Sequence, residues 1–274
     1  MKKALRIIVT VLGILGCAGA GLAQANLSTE EIVNRSNYMA LYQGQDFRGT
    51  VSLTIIDKQG RMRERQFNML RMNMDGNDLD QKHYVYFLEP ADVRKMVFMV
   101  HKHVGQDDDR WMYLPSLDLV KRIAASDKRT SFVGSDFLYE DISGRSPEED
   151  THELLETTNE HYVIKNVPVD SDGVEFAYYI ATIDKQTFLP AKIEYHKSDD
   201  RLYRVIETLS VESVSATENG TPTTYPTVIR SVARDLENES STEMVLSNTQ
   251  YNLGLKEDIF TERYLRMAPK EVMP

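Results

Sequence analysis

Short segments in which apolar and polar residues alternate recur along most of the chain, and they limit the folds that it can adopt. In "GTVSLTIID", Val51, Leu53 and Ile55 alternate with polar residues. A period of two predicts a strand with one buried face. Further strands are predicted near residues 61–74, 82–89, 96–103, 109–114, 119–123, 161–167, 173–183, 189–197, 201–214, 226–235 and 242–251. Regular strands joined by turns predict a mainly β fold, an antiparallel sheet that bends on itself as a sandwich or barrel.

Helical patterns are few and lie near the ends and the middle of the chain. Ser28 and Glu31 have the spacing of a capping box, which predicts a helix over residues 28–42. Residues 148–156 and the segment "LKEDIFTERYLRM" also have a helical pattern. No linker rich in proline or glycine divides residues 26–274, and residues 215–224 form a polar excursion. We therefore expect one domain over residues 26–274.

Residues 1–25 have the three parts of a secretory signal peptide. Three basic residues come first, an uncharged apolar run follows over residues 7–16, and Ala23-Gln24-Ala25 supplies small residues before the cleavage point. The apolar run is too short for a membrane anchor. We therefore expect cleavage after Ala25 and a periplasmic mature protein.

Cys17 is the only cysteine, and it offers a second interpretation of the leader. Ile14-Leu15-Gly16-Cys17 loosely resembles a bacterial lipobox, in which the cysteine is acylated and anchors the protein. Leu15 is bulky for its position, so cleavage after Ala25 is the preferred interpretation. In that case the mature chain has no disulfide and depends on an ordinary core.

The charge excludes one class of partner. The chain has 42 Asp and Glu against 32 Lys and Arg, a formal net charge of −10. Nucleic acid and anionic lipid surfaces would repel such a protein. We expect no nucleic acid partner, and instead a neutral, basic or apolar one.

The sequence contains no recognisable motif for catalysis and no convincing motif for metal binding. Gly134-Ser135 lacks the flanking glycines of a nucleophile elbow, and no phosphate-binding loop occurs. His101 and His103, with Asp107 to Asp109 nearby, form the best metal candidate, but a solvated strand end explains them better. The sequence therefore predicts no catalytic residue, no metal and no cofactor, and a hydrolase is kept only as a third hypothesis.

Large apolar side chains are more informative, because seven of the twelve methionines lie between residues 62 and 112. Methionine adapts to variable apolar partners, although it also fills ordinary cores. A curved sheet needs its concave face filled by its own side chains, by a helix or by a ligand. The first candidates for a cavity wall are Met69, Met72, Tyr84, Tyr86, Met99, Trp111 and Tyr113.

The segment "DRWMYLPSLDLVKRIAASDKRTSFVGSDFLYEDI", residues 109–142, resembles the central segment of bacterial outer-membrane lipoprotein-sorting proteins, relatives of the LolA and LolB carriers. Weaker matches are "FLEPADVRKMVFMV", "DKQTFLPAKIEYHKSDDRLYRVIE" and "YNLGLKEDIFTERYLRM". The resemblance implies an incomplete, strongly curved antiparallel β-barrel that helices close around an apolar cavity. It also implies a cargo of acyl chains, lipids or lipoproteins, and an inner-membrane transporter of the resistance-nodulation-division (RND) type as partner.

On the basis of this resemblance, residues 127–141 are interpreted as a structural corner of the cavity. Phe132, Phe137 and Tyr139 would turn inward as part of the wall. Gly134 would allow a tight turn with positive φ, and Ser135 or Asp136 would cap a helical turn over residues 136–141. Lys128 and Arg129 would pair with Asp136, Glu140 or Asp141. The alternative function is an envelope adaptor that docks on a transporter and carries nothing.

Overall fold

The structure is a computed structural model, and it describes residues 27–74 and 79–273. The predicted signal peptide over residues 1–25 and Cys17 lie outside the described residues. The strands are β1 (Asp46–Ile56), β2 (Met62–Asn73), β3 (Gln81–Glu89), β4 (Val97–Lys102), β5 (Asp109–Leu114), β6 (Leu119–Ile123), β7 (Asp150–Thr157), β8 (His161–Pro168), β9 (Tyr178–Asp184), β10 (Pro190–His196), β11 (Leu202–Glu218), β12 (Thr221–Asp235) and β13 (Ser240–Tyr251). The α-helices are α1 (Thr29–Leu41), α2 (Tyr139–Ser143) and α3 (Arg263–Arg266).

The strands form one antiparallel sheet in the order β6-β5-β4-β3-β2-β1-β13-β12-β11-β10-β9-β8-β7. Almost every strand therefore pairs with its neighbour in sequence, and only β1 and β13 join distant parts of the chain. The sheet is curved but open, because its edge strands β6 and β7 do not pair with each other. The predicted fold class is confirmed: an incomplete, curved antiparallel barrel with a few covering helices.

Helix α1 forms where the sequence predicts it. Ser28 caps the helix, since its Oγ accepts from the Glu31 N–H at 3.2 Å while Glu31 Oε2 accepts from the Ser28 N–H at 2.8 Å. Ile32 is fully buried against β8 and β9. The reciprocal cap and this apolar contact together fix the start of the helix on the sheet.

Two sequence predictions are wrong. Residues 148–156, predicted as a helix, form a short 3₁₀ turn (Pro147–Glu149) followed by strand β7. Edge pairing to β8 outweighs the helical pattern of these residues, and Glu153 and Glu156 face solvent. Residues 215–224, predicted as a polar excursion, complete β11 and β12 around a turn at Asn219-Gly220, where both φ angles are positive.

The half of the sheet from β2 to β5 is covered on both faces. One face carries Phe67, Val85 and Phe87, which pack against the segment between β6 and β7. The other face carries Tyr84, Met99 and neighbours, which pack under residues 255–272. Because successive residues of a strand point to opposite faces, this half needs apolar residues at almost every position.

The chain between β6 and β7, residues 124–149, is here called the crossing segment. It joins the two edges of the open sheet and contains α2 and two 3₁₀ turns, Ala125–Arg129 and Pro147–Glu149. Its apolar residues pack on the concave face of the sheet. The crossing segment therefore spans the opening that an incomplete barrel leaves.

Candidate functional site

A cavity of about 440 Å³ lies between the concave face of the sheet and the helices α1 and α2. This volume falls in the range of roughly 300–1,000 Å³ that is typical of ligand sites. Its apolar lining residues are Val33, Met39, Ala40, Leu41, Phe47, Val51, Phe67, Met69, Phe137, Ile142, Ala181, Ile183, Leu189, Ile193, Ile206, Val228, Ile229, Met244 and Leu246. The wall therefore comes from both halves of the sheet, which is a direct consequence of its curvature.

Helix α1 forms the roof of the cavity and is held at both ends. Ile32 anchors its start, as described above, while Val33, Ala40 and Leu41 face the cavity. Beyond its end, Gln81 Nε2 donates to the Leu41 carbonyl at 2.9 Å, and Arg71 donates to carbonyls of residues 41, 43 and 44. These bonds satisfy carbonyl groups that a helix end leaves without partners.

Phe132 fills the other part of the concave face. Its ring is fully buried. The centroids of the four rings around it lie at 5.4 Å (Phe98), 5.6 Å (Tyr139), 5.8 Å (Phe67) and 6.1 Å (Phe87). The crossing segment thus packs most of the hollow over β2 to β5, and the cavity extends over β9 to β13 and the adjoining parts of β1, β2 and β3.

A buried cluster of ion pairs holds α2 at the edge of the cavity. Glu140 is 3 % exposed and accepts from Arg129 at 2.6 Å and from Arg145 at 3.2 Å. Burial opposes its negative charge, but the two guanidinium groups outweigh burial and lower the pKa of Glu140. Arg129 also binds Glu175 on the far side, at 2.7 Å. Burial likewise opposes the charge of Glu175, yet its bonds to Arg129 and Tyr203 lower its pKa to about 2.

The corner residues hold the crossing segment to the sheet in a different way from that predicted. Gly134 has the positive φ that a tight turn needs, +78°, and its carbonyl accepts from Arg63 Nη2 at 3.2 Å; its neighbour Val133 also has a positive φ, +49°. Helix α2 begins at Tyr139, three positions later than the predicted turn, and Asp141 in its first turn accepts from the N–H of the N-cap residue Leu138 at 2.6 Å.

Ser135 and Asp136 therefore do not cap α2, which is a correction of the sequence prediction. The Ser135 hydroxyl donates to the Phe132 carbonyl at 2.7 Å. The Asp136 carboxylate accepts from hydroxyl groups of β13, those of Ser240 and Thr242. Asp136 therefore anchors the crossing segment on β13, and two residues separate it from the start of the helix.

Lys128 and Arg129 make one of the predicted ion pairs and not the others. Both bind Glu140, at 3.3 and 2.6 Å, and Lys128 also binds Glu149 at 2.5 Å. Asp141 instead pairs with Arg204 of β11. The distant strand β11 supplies the cation, a contact that local sequence spacing does not indicate.

The structure brings only part of the predicted cavity wall together. Met69 and Phe137 line the cavity. Phe132 and Tyr139 pack in the adjoining core. The remaining candidates lie on the opposite face of the sheet, under residues 255–272; they are Met72, Tyr84, Tyr86, Met99, Trp111 and Tyr113. The reason is strand alternation: Tyr84 and Tyr86 point away from the face that Val85 and Phe87 share.

Most of the wall comes from elements that the sequence candidates omitted. They are α1 and the strands β9 to β13, which contribute Ala181, Ile193, Ile206, Met244 and Leu246 among others. The available signal was the period-two pattern of these later strands. This pattern predicts that each strand has one apolar face, but it does not predict which apolar faces lie opposite each other across a curved sheet.

Neither a metal-binding cluster nor a membrane-spanning helix is found among the described residues. Residues 27–74 and 79–273 contain no group of three or more His, Cys, Asp or Glu positioned to hold a metal ion. His101 bonds the Phe260 carbonyl at 2.7 Å and His103 bonds Asp80 at 3.0 Å, so each has a protein partner. Across the same residues, no helix has the length and apolar character needed to span a bilayer.

Comparisons with known proteins agree with this architecture. The profile of a family described as "Uncharacterized protein" matches residues 79–267. No curated protein sequence matches the chain significantly. A DUF1329 family protein from Desulfovibrio piger is 25 % identical, with a TM-score of 0.73 over 85 % of this chain and 95 % of that one.

Two further solved structures share the fold. A putative outer membrane lipoprotein-sorting protein domain from Vibrio parahaemolyticus is 24 % identical, with a TM-score of 0.71 over 86 % of this chain and 96 % of that one. A LolA superfamily protein from Nitrosomonas europaea is 18 % identical, with a TM-score of 0.63 over 87 % and 99 %. The overall fold therefore recurs in these solved structures.

Proposed function

Because the chain belongs to the family of uncharacterized proteins whose profile covers residues 79–267, and has a LolA-like fold, we propose that it is a carrier for acyl chains. The cargo is a lipid, a free acyl chain or the acyl anchor of a lipoprotein. The cavity between α1 and the sheet would hold the hydrocarbon part. No reaction is involved, and release of the cargo follows from opening of the roof.

The observation that carries this proposal is the apolar wall of the cavity. Ile193 and Ile206 are directly opposite each other on β10 and β11, and both face the space under α1. Burial of hydrocarbon contributes about 0.8 kcal/mol per methylene. Ten buried methylenes would then supply about 8 kcal/mol before the cost of association is subtracted, enough for useful affinity without a chemical step.

The adaptor hypothesis predicts a different filling of the concave face of the sheet. An adaptor that carries nothing would have a concave face plugged by its own side chains. Phe132 does plug the hollow over β2 to β5, but the hollow over β9 to β13 keeps about 440 Å³. The remaining space favours a carrier over an adaptor.

A displacement assay tests the proposal. The neutral dye N-phenyl-1-naphthylamine fluoresces in apolar cavities, and we expect it to bind the protein and to be displaced by dodecanoate. Ile206→Glu places a carboxylate in the wall and should weaken dye binding at least tenfold. Leu209→Glu is the matched control, because Leu209 lies on the same strand, is 46 % exposed and does not line the cavity. A protein that binds neither dye nor dodecanoate, or an Ile206→Glu variant that binds the dye normally, would contradict the proposal.

Localisation and partner complete the proposed function. We propose a periplasmic location after cleavage at Ala25, which N-terminal sequencing of the exported protein tests directly; a mature chain that begins with an acylated Cys17 would replace this with a membrane-tethered form. The sequence resemblance given above supports an RND-type transporter as partner. Crosslinking in intact cells should recover such a transporter, and its recovery without any lipid on the carrier would favour an adaptor.

A further inference from the structure

One corner of the cavity is polar, and three of its buried nitrogen atoms have no partner among the described residues. Arg71 of β2 and His83 of β3 are directly opposite each other, and both line the cavity beside the end of α1. His83 is 1 % exposed. In the part of the chain that the structure describes, neither ring nitrogen of His83 has a hydrogen-bond partner, and Arg71 Nε has none either. Buried polar groups in folded proteins are nearly always bonded, so an orphaned pair at the wall of a cavity points to a ligand.

The same corner carries positive charge. Arg71 is buried, and burial lowers its pKa to about 10, so it stays protonated at neutral pH. Lys102, one row along on β4, is 3 % exposed. Among the described residues, both cations bond neutral carbonyl oxygens: Arg71 those of residues 41, 43 and 44, and Lys102 those of Ser143 and Gly144 at 3.0 and 3.2 Å. Arg71 lines the cavity, so its charge is available to an anion there, and Lys102 lies outside the lining but close enough to His83 to add to the positive potential.

His83 is neutral in this setting. Burial, followed by the charges of Lys102 and Arg71, lowers the pKa of His83 well below its ordinary value. A neutral imidazole has one N–H donor and one acceptor nitrogen. Arg71 Nε–H and the His83 N–H together offer two unused donors on neighbouring strands, and a carboxylate has two oxygens to accept them.

We propose that Arg71 and His83 form a headgroup subsite that binds the carboxylate of a fatty acid whose chain lies in the apolar cavity. This inference rests on the proposed function, since it names the class of acyl ligand that the cavity selects. Carboxylate binding satisfies both donors and places the negative charge beside two buried cations, a charge-assisted arrangement stronger than a neutral hydrogen bond. An alcohol of the same chain length has no charge to pair with them.

The test compares ligands of equal chain length on the full mature protein. Dodecanoate and 1-dodecanol each displace N-phenyl-1-naphthylamine from the cavity, and we expect dodecanoate to bind at least tenfold more tightly than 1-dodecanol. His83→Leu removes the ring nitrogens and should reduce this preference to threefold or less while the affinity for dodecanol is unchanged. Because no described protein group bonds His83, its replacement by leucine orphans nothing, and urea unfolding should find the variant at least as stable. His101→Leu, on the opposite face, is the matched control and should keep the preference.

The outcomes separate this inference from the proposed function. If the wild type binds both ligands equally, or if His83→Leu keeps a tenfold preference, the subsite is wrong while the carrier proposal stands. If neither ligand displaces the dye, both are wrong. If His83→Leu unfolds at clearly lower urea concentration than the wild type, His83 has a structural role and the subsite loses its basis.

Discussion

Phe132 offers the sharpest test of how the crossing segment packs. Its ring is fully buried among four aromatic rings whose centroids lie 5.4 to 6.1 Å away. Truncation of a buried phenylalanine to alanine lowers the free energy of unfolding by about 3–5 kcal/mol, through lost burial and the void that remains. Phe132→Ala should therefore be among the most damaging single changes in the chain.

The expected shift in melting temperature follows from that value. For a protein of this size 1 kcal/mol corresponds to about 2–4 °C, so a loss of about 4 kcal/mol predicts a decrease of roughly 8–16 °C. Phe132→Leu keeps most of the apolar volume and should lose about 1–1.5 kcal/mol. Trp111 is buried on the opposite face of the sheet, and its fluorescence in a urea titration reports unfolding without a contribution from the cavity.

Binding provides the second half of this test. Phe132 packs beside the cavity and does not line it, so folded Phe132→Ala protein should bind N-phenyl-1-naphthylamine within about twofold of wild type. A free energy of unfolding within 1 kcal/mol of wild type for Phe132→Ala would refute the claim that this ring fills the hollow over β2 to β5.

Further predictions concern the charges and the roof contact. Glu140→Gln removes the shared acceptor of a buried ion-pair cluster and should lower the free energy of unfolding by about 3–5 kcal/mol, measured by urea titration. The folded-state pKa values of Glu140 and Glu175 are lowered, so the stability that they contribute is present above their ordinary pKa of about 4.5 and is lost as pH falls toward 2. Urea unfolding curves measured between pH 5 and 2 should show this loss, and the free energy of unfolding should depend less steeply on pH in Glu140→Gln than in the wild type. An equal pH dependence in the two proteins would contradict this prediction. Gly144→Ala should destabilise the fold more than Gly60→Ala: both residues have positive φ, but a Cβ at Gly144 would lie 2.1 Å from Leu41 Cδ1 of the roof helix, whereas at Gly60 it meets no atom within 4 Å. Equal loss in the two alanine variants would show that α1 does not rest on Gly144.

Sequence patterns predicted the sheet well because a period of two is a local property. The capping box of Ser28 and Glu31 likewise fixed α1, since its atoms all lie within four residues. The error at residues 148–156 arose where local spacing and edge pairing disagree: the exposed residues Thr151, Glu153 and Leu155 alternate with His152 and Leu154, and pairing with β8 makes this a strand. Tertiary pairing of that kind is not visible in a short window.

The cavity wall could be predicted only in part. In "QKHYVYFLE", residues of both faces are buried, so alternation alone does not say which face meets a ligand. The choice of Tyr84 and Tyr86 followed side-chain size, whereas residues 255–272 cover that face. Buried polar residues were a better signal. Arg71 interrupts the apolar stretch of residues 69–72, and His83 directly precedes the apolar stretch of residues 84–88 on the adjacent strand. An unexplained polar residue in a core strand indicates a site more strongly than another large apolar residue does.

The central claim is that a hydrocarbon chain occupies the space between α1 and strands β9 to β13. Isotope-filtered NMR on protein with labelled methyl groups, in the presence of unlabelled dodecanoate, measures this directly. We expect intermolecular nuclear Overhauser effects from the acyl methylenes to the methyl groups of Ile193, Ile206 and Leu246, all of which line the cavity. Effects confined to exposed methyl groups such as those of Leu117 and Leu209, or none at saturating ligand, would contradict the claim.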